Sequence, residues 1–386
     1  MKLQNNSYTQ LSKLQAVCLK QNVPFASYRL PLENDIITLV QHQSLPVQLD
    51  SLENIESKVG FVVAPFLPNY AHKTFFLEPD NIFFSSAIED SDIQQIADTN
   101  RFLAIESKLI AANQSTTSVE FISNVNKAIE TMQNTNLHKV VLSKIRVENL
   151  TNDFTPEFFF LKLCNKYPHA MVYIIQLPGV GCWVGATPEP LLVIENERVK
   201  TVSLAGTQIS TEQEISTYQW SPKEIEEQGI VTDYVEQTLR SLPIENVIKI
   251  GPMNYQAANL IHLKTGFEFA KNELNNKMGK FIQALHPTPS VGGLPKNEAR
   301  EFICANEKHD RGYYSGFLGP ININKKSNIF VNLRCLQLFD KQFVLYSGAG
   351  ITPSSIAERE WEETDNKMMT MMNVMMSPNS GISTNL

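Results

Sequence analysis

Cysteine is sparse in this chain of 386 residues. The five present, Cys18, Cys164, Cys182, Cys304 and Cys335, are scattered and form no CxxC pair. An odd set of that kind excludes a dense disulfide framework and a cysteine zinc site, and it suits a reducing compartment. Histidine is scarce as well, at seven residues, and neither His262 nor His286 has a second histidine at ligand spacing, so a histidine metal site has no support. No stretch concentrates lysine and arginine: 33 basic residues face 40 acidic ones, a net charge of −7, which argues against a nucleic-acid partner. Long apolar runs are missing too. The stretch from Met171 to Leu177 falls far short of the roughly 20 residues that a membrane-spanning helix needs. The first twenty positions alternate polar with apolar, unlike a secretion signal. A cytoplasmic protein without a membrane partner is the expectation.

What is present is an ordinary globular composition, 42% apolar and 19% charged, over about two to three domain equivalents of length. Without repeats, low-complexity linkers or charge blocks, residues 1–386 read as one intimately folded unit, with a chemically quiet portion over 1–115. That portion carries a helix around Leu11, Leu14 and Cys18, then short strands over 26–30, 37–40, 60–65 and 74–77. Thr117 and Glu120 form a capping-box pattern that opens a helix, and 139–147 is a strand by its β-branched content. The patterning further predicts helices over 156–166, 223–242, 267–285 and 296–305. Strands are expected over 170–177, 182–208 (two or three), 247–250, 317–323, 329–339 and 342–346. In the helix over 223–242, Ile225, Val231, Val235 and Leu239 share a candidate buried stripe. A final helix starts near Ser355, with Glu358 at the capping-box position. Strands and helices mixed without a strict βαβ rhythm predict an α+β fold, antiparallel sheets with helices packed outside.

Two of these helices carry a Glu-x-x-Glu pair, Glu224 with Glu227 and Glu360 with Glu363. Three-residue spacing places both carboxylates of a pair on one face. Two such faces brought together would offer only oxygen ligands, the set that hard cations such as Mg²⁺ prefer; alone, the pattern equally describes a solvated helix face. Lys139 begins its strand on the face of Val141, Ser143 and Ile145, whereas Lys144 and Arg146 share the opposite face with Val140 and Leu142. A buried lysine loses its preference for the ammonium form and becomes a usable base; an edge lysine instead snorkels to solvent. Glu189 lies between Pro188 and Pro190, which fix its backbone as a catalytic acid or a plain turn glutamate would require. Glycines in Gly206-Thr207 and Gly348-Ala-Gly350 let backbone N–H groups approach an anion. Arg334, in the strand over 329–339, needs an anionic partner if it faces inward.

Taken in order, these segments resemble the chorismate-utilising enzymes, the family of isochorismate, salicylate, anthranilate and aminodeoxychorismate synthases. The resemblance covers about 118–372. It rests on Lys139-Val-Val-Leu-Ser-Lys144, Gly185-Ala-Thr-Pro-Glu189, Leu204-Ala-Gly-Thr207, Lys223-Glu-Ile-Glu-Glu227 and Leu285-His-Pro-Thr-Pro-Ser-Val-Gly-Gly293. It continues through Arg311-Gly-Tyr-Tyr-Ser-Gly316, Leu333-Arg-Cys335, Gly348-Ala-Gly-Ile351 and Glu360-Trp-Glu-Glu-Thr364. The sequence departs from the family at Gln228, where many relatives have histidine, and at Lys264.

The resemblance implies a mechanism. Members that add water have lysine at the position of Lys139, whereas ammonia-adding members typically have glutamine. Aminodeoxychorismate synthases typically carry a nucleophilic lysine where this chain has Ala205. Lys139, neutral, would deprotonate a water attacking C2 of chorismate, and Glu189, protonated, would donate to the departing C4 hydroxyl. Mg²⁺ held by Glu224, Glu227, Glu360 and Glu363 would bind the ring carboxylate. Arg334, Tyr314 and backbone N–H groups near Gly348 would meet the enolpyruvyl carboxylate, with Thr207, His262 and Lys367 also close to the substrate. The resemblance points to an isochorismate synthase whose product feeds menaquinone or a catechol siderophore. Its alternatives are a salicylate synthase, which also eliminates pyruvate, and a non-catalytic protein that binds chorismate or Mg²⁺. No glutamine-hydrolysing subunit is implied, and the chain is expected as a monomer or homodimer.

Overall fold

The structure, a computed structural model, describes residues 5–69, 71–99, 114–209, 218–257 and 260–376. The N-terminal elements are α1 (Asn5–Gln21), β1 (Phe25–Arg29), β2 (Ile37–Val40), β3 (Val47–Leu49), β4 (Gly60–Ala64), β5 (Thr74–Leu77), β6 (Asn81–Phe84) and α2 (Asp90–Ala97). Next come α3 (Ser118–Asn134), β7 (Lys139–Asn149), α4 (Pro156–Lys166), β8 (Met171–Leu177), β9 (Gly181–Thr187), β10 (Pro190–Glu195), β11 (Arg198–Ile209) and α5 (Pro222–Ser241). The hairpin β12 (Ile248–Ala257) and β13 (Leu260–Ala270) leads to α6 (Met278–Leu285), β14 (Gly293–Leu294) and α7 (Lys296–Asn306). The described chain closes with β15 (Phe317–Ile321), β16 (Ser327–Val331), β17 (Cys335–Leu338), β18 (Gln342–Ile351) and α8 (Ala357–Met375).

Among the described residues, alternating side chains build two nine-stranded antiparallel sheets that pack face to face. The first runs β14-β7-β18-β17-β9-β8-β1-β2-β6, the second β12-β13-β11-β10-β16-β15-β4-β5-β3. Between them Tyr28, Met171, Tyr173 and Trp183 of the first sheet meet Phe61, Val63, Leu318 and Phe330 of the second in one buried cluster. Helices cover both outer faces. On the first sheet, α1, α4 and α8 contribute Leu11, Leu14, Phe160, Leu163, Met368 and Met371 to one core. At its other end α3 and α7 pack Phe121, Val125, Ala299 and Ile303 against Val140 and Leu142. On the second sheet, α5 and α6 bury Val235, Leu239, Phe281 and Ile282. Each large apolar side chain sealed this way stabilises the fold by about 1.5–3 kcal/mol. The fold is α+β, as the patterning predicts. The strands before residue 115 are shared between the sheets: β1, β2 and β6 extend the first, and β3, β4 and β5 the second. Among the described residues no helix is long and apolar enough to cross a membrane.

Four local expectations are corrected. The helix expected over 267–285 is only α6 at its end; 260–270 is strand β13, paired with both β11 and β12. Thr265, Phe267 and Phe269 are buried while Lys264, Gly266 and Glu268 alternate with them and are partly exposed, a period of two that the helix-forming residues around it obscured. The strand expected over 329–339 is two strands in different sheets, β16 and β17, and Arg334 lies in the connection between them. Ser355 does not cap α8: its Oγ accepts from the Thr352 N–H at 3.1 Å, and Ile356 occupies the cap position. Ile225 is 55% exposed, so the buried stripe of α5 is Val231, Val235 and Leu239 without it.

Candidate active site

A cavity of about 500 Å³ lies between the β7–β18 end of the first sheet, strand β11 of the second, and helices α5 and α8. Its position follows from two places where the chain changes sheets. Pro188 and Glu189 carry it from β9 in the first sheet to β10 in the second, and residues 332–334 carry it back from β16 to β17. The two crossings run side by side, joined by Val331 N–H donating to the Glu189 carbonyl (2.9 Å) and Ala186 N–H donating to the Arg334 carbonyl (3.0 Å). At Arg334 the backbone turns with φ of 48°, a left-handed conformation that costs a non-glycine residue roughly 1–2 kcal/mol. Both crossings leave their charged residue, Glu189 or Arg334, on the cavity wall.

Glu189 is 6% exposed, and burial pushes its carboxyl up from 4.5 to about 7, with the charges of Lys139 and Lys367 and the Thr288 hydroxyl pulling the other way. Lys139 is fully buried on the inter-sheet face of β7, and its Nζ lies 2.7 Å from Glu227 Oε1 on α5. Gly350, two strand positions from Gly348 on β18, leaves the room that this pair occupies. A Cβ there would lie 2.6 Å from Glu227 Oε1 and 3.0 Å from Lys139 Cε. The alternation expected along β7 is seen, but both of its lysines are buried: Lys144, 2% exposed, is enclosed on the opposite face.

Helix α5 starts with a reciprocal capping box, Ser221 with Glu224, and presents Glu224 and Glu227 to the cavity. Helix α8 presents Glu360 and Glu363 from the facing side. Glu360 is 2% exposed, while Glu363 Oε1 lies 2.6 Å from Lys367 Nζ, which also donates to the Gly348 carbonyl at 2.9 Å. All four glutamates therefore line one cavity. Among the described residues, however, no three His, Cys, Asp or Glu side chains are gathered as a metal cluster.

The remaining expected residues converge on the same wall. Arg334 Nη1 donates to Thr370 Oγ1 on α8 at 2.9 Å, and burial lowers its guanidinium to about 10. Tyr314 is 3% exposed and held by stacking: its ring centroid is 5.3 Å from Tyr346, which lies 5.2 Å from Trp183. His262 sits on β13 with Nδ1 3.0 Å from the Gly206 carbonyl, the contact of an Nδ1–H tautomer, and burial depresses it to about 3, keeping the ring neutral. Thr207 belongs to β11, and its side chain lies outside the described residues. Gln228 sends its Nε2 to Ser203 Oγ (3.0 Å) and Thr265 Oγ1 (3.1 Å), tying α5 to β11 and β13, and Lys264 lies 4.2 Å over the Tyr255 ring. Motif reading gave no role to Ser290 or Val291, which line the cavity, or to the packing of Gly350, although all three lie inside motifs the sequence shows.

Two antiparallel sheets crossing at an acid, a lysine and four carboxylates define a class, and comparison with known proteins identifies it. The chain belongs to the chorismate binding enzyme family, whose match covers residues 76–376. Within that family it is similar to isochorismate synthases. It is 32% identical over 244 residues to the isochorismate synthase EntC of Escherichia coli, covering 61% of this chain and 62% of that protein. It is 25% identical to the vibriobactin-specific isochorismate synthase of Vibrio cholerae over 92% of this chain and 86% of the relative. The fold matches the crystal structure of a putative 2,3-dihydroxybenzoate-specific isochorismate synthase from Bacillus anthracis. That match has a TM-score of 0.74 at 21% identity and covers 94% of this chain and 99% of the other.

Proposed function

We propose that the protein is an isochorismate synthase, acting on residues 1–386 as one chorismate-binding unit and requiring Mg²⁺. The observation that carries this reading is a buried carboxyl on the cavity wall, Glu189, held protonated up to about pH 7, with the buried Lys139 side chain within its electrostatic reach. Similarity to proteins named isochorismate synthases supports it. In the proposed reaction Lys139, its amine turned from Glu227 to a water, takes the proton as that water attacks C2 of chorismate. Glu189 gives its proton to the leaving C4 hydroxyl, and the ring double bonds shift between the two events. Arg334 and Tyr314, with backbone near Gly348, hold the enolpyruvyl carboxylate; Lys367 and His262 complete the substrate wall.

The donor set suits a hard cation, because Glu224, Glu227, Glu360 and Glu363 offer only oxygen and converge on one cavity. Two of them lie against lysine side chains, Glu227 Oε1 2.7 Å from Lys139 Nζ and Glu363 Oε1 2.6 Å from Lys367 Nζ, so each already faces a nitrogen that a bound cation would displace or share. Bound Mg²⁺ would supply positive charge that holds and polarises the ring carboxylate. Incubating the purified protein with chorismate and Mg²⁺ and separating the products tests the proposal. Isochorismate is expected; salicylate with pyruvate as the main output, or no turnover, would overturn it.

A further inference from the structure

We infer that Lys144 is a positioning residue that sets how α8 presents Glu360 and Glu363 to the cavity; the inference rests on the proposed cation-binding role of those carboxylates. Lys144 occupies the outer face of β7 beside Val140 and Leu142, where an aliphatic side chain would fill the space without the cost of burying a charge. What the ammonium finds there is one turn of α8. Its Nζ is 2.6 Å from Asp365 Oδ1, 3.4 Å from the Trp361 carbonyl and 3.1 Å from the centroid of the Trp361 ring. The Phe121 ring of α3, 5.9 Å away, closes the cage.

Residues 361 and 365 are four apart and share one helix face. Residues 360, 363 and 367 form the adjacent stripe, which lines the cavity. Because each residue turns the helix by about 100°, holding Trp361 and Asp365 against β7 dictates where Glu360 and Glu363 point. Ser347 Oγ donates to the Thr364 carbonyl (2.7 Å) in the same turn, while bonds from Lys367 to Gly348 and from Tyr167 to the Thr370 carbonyl (2.7 Å) tie later positions. Lys144 thus adds a buried side-chain clamp at the 361–365 turn, next to the cavity-lining stripe. The same strand carries Lys139, so β7 sets the amine on one face and, through Lys144, the carboxylates of α8 on the other.

Calorimetric titration of the full-length protein with MgCl₂ alone tests this. Lys144→Met should raise the Mg²⁺ dissociation constant at least about tenfold. Lys144→Arg, whose guanidinium stacks on Trp361 and reaches Asp365, should stay within about threefold of wild type. Turnover of Lys144→Met should recover at saturating Mg²⁺, because Lys139 and Glu189 are intact. Should the methionine variant not fold, Asp365→Asn, at a half-exposed carboxylate, should weaken Mg²⁺ binding about threefold. Unchanged Mg²⁺ affinity in Lys144→Met, or in Asp365→Asn, overturns the inference while leaving the functional proposal standing. A wild-type protein that turns over chorismate but takes up no Mg²⁺ overturns the cation role and this inference with it.

Discussion

Replacing Glu189 by glutamine removes a proton donor without changing the shape of the buried side chain, so it separates chemistry from packing. In the folded protein the carboxyl titrates near 7 instead of 4.5 because burial penalises the charged form. Two consequences follow. Turnover should fall by about 10²–10⁴-fold in Glu189→Gln, the range for loss of a positioned acid. In the wild type, kcat/KM should decline by about tenfold per pH unit above about 7, as the acid loses its proton. Stability responds to the same group. Between 4.5 and about 7 the folded protein holds a proton that the unfolded chain has released, so this carboxyl's contribution to stability falls as pH rises through that window. At about 1.4 kcal/mol per unit, the loss is roughly 3 kcal/mol above pH 7. For a chain of 386 residues that corresponds to about 4 °C in Tm. Glutamine does not titrate, so the Tm of the variant relative to wild type should climb by about that amount between pH 4.5 and 7.5. Differential scanning fluorimetry across pH, paired with product chromatography, measures both. A Tm gap that stays flat with pH, or a variant that turns over within threefold of wild type, would refute the reasoning.

Three further outcomes are expected. Lys139→Ala should keep the fold and lose at least about 10²-fold in turnover, read as isochorismate formed per enzyme; near-normal rates would remove the lysine from the reaction. Glu363→Ala should raise the Mg²⁺ concentration needed for half activity, and an unchanged requirement would take it out of the ligand set. In Gly350→Ala the new methyl meets Glu227 Oε1 and Lys139 Cε, so kcat should drop while the Tm moves little, and wild-type kinetics would show that the pair has room to spare.

Much of this was written in the order of residues. The β-branched run after Lys139, the Glu-x-x-Glu pairs and the prolines around Glu189 were legible because strand alternation, helical spacing and fixed backbone torsions are local properties. So was the α+β class. The stretch 260–270 was misread at its end because Phe267 onward is rich in helix formers, and only pairing with β11 and β12 on both sides made it a strand. Alternation placed Lys139 and Lys144 on opposite faces of β7. That both faces are covered, so that both lysines are buried, depends on a second sheet on one side and α3 and α8 on the other.

The sequence by itself determined which groups are available: one strand lysine, one proline-bracketed carboxyl, four helical glutamates and an arginine. Tertiary structure alone decided that they meet, because the chain changes sheets at Glu189 and again before Cys335, and helices from opposite outer layers lean over the same opening. A side chain's chemistry is carried by its own atoms. Its neighbours, and therefore its charge state and its use, come from contacts between residues as far apart in sequence as Lys139 and Glu227.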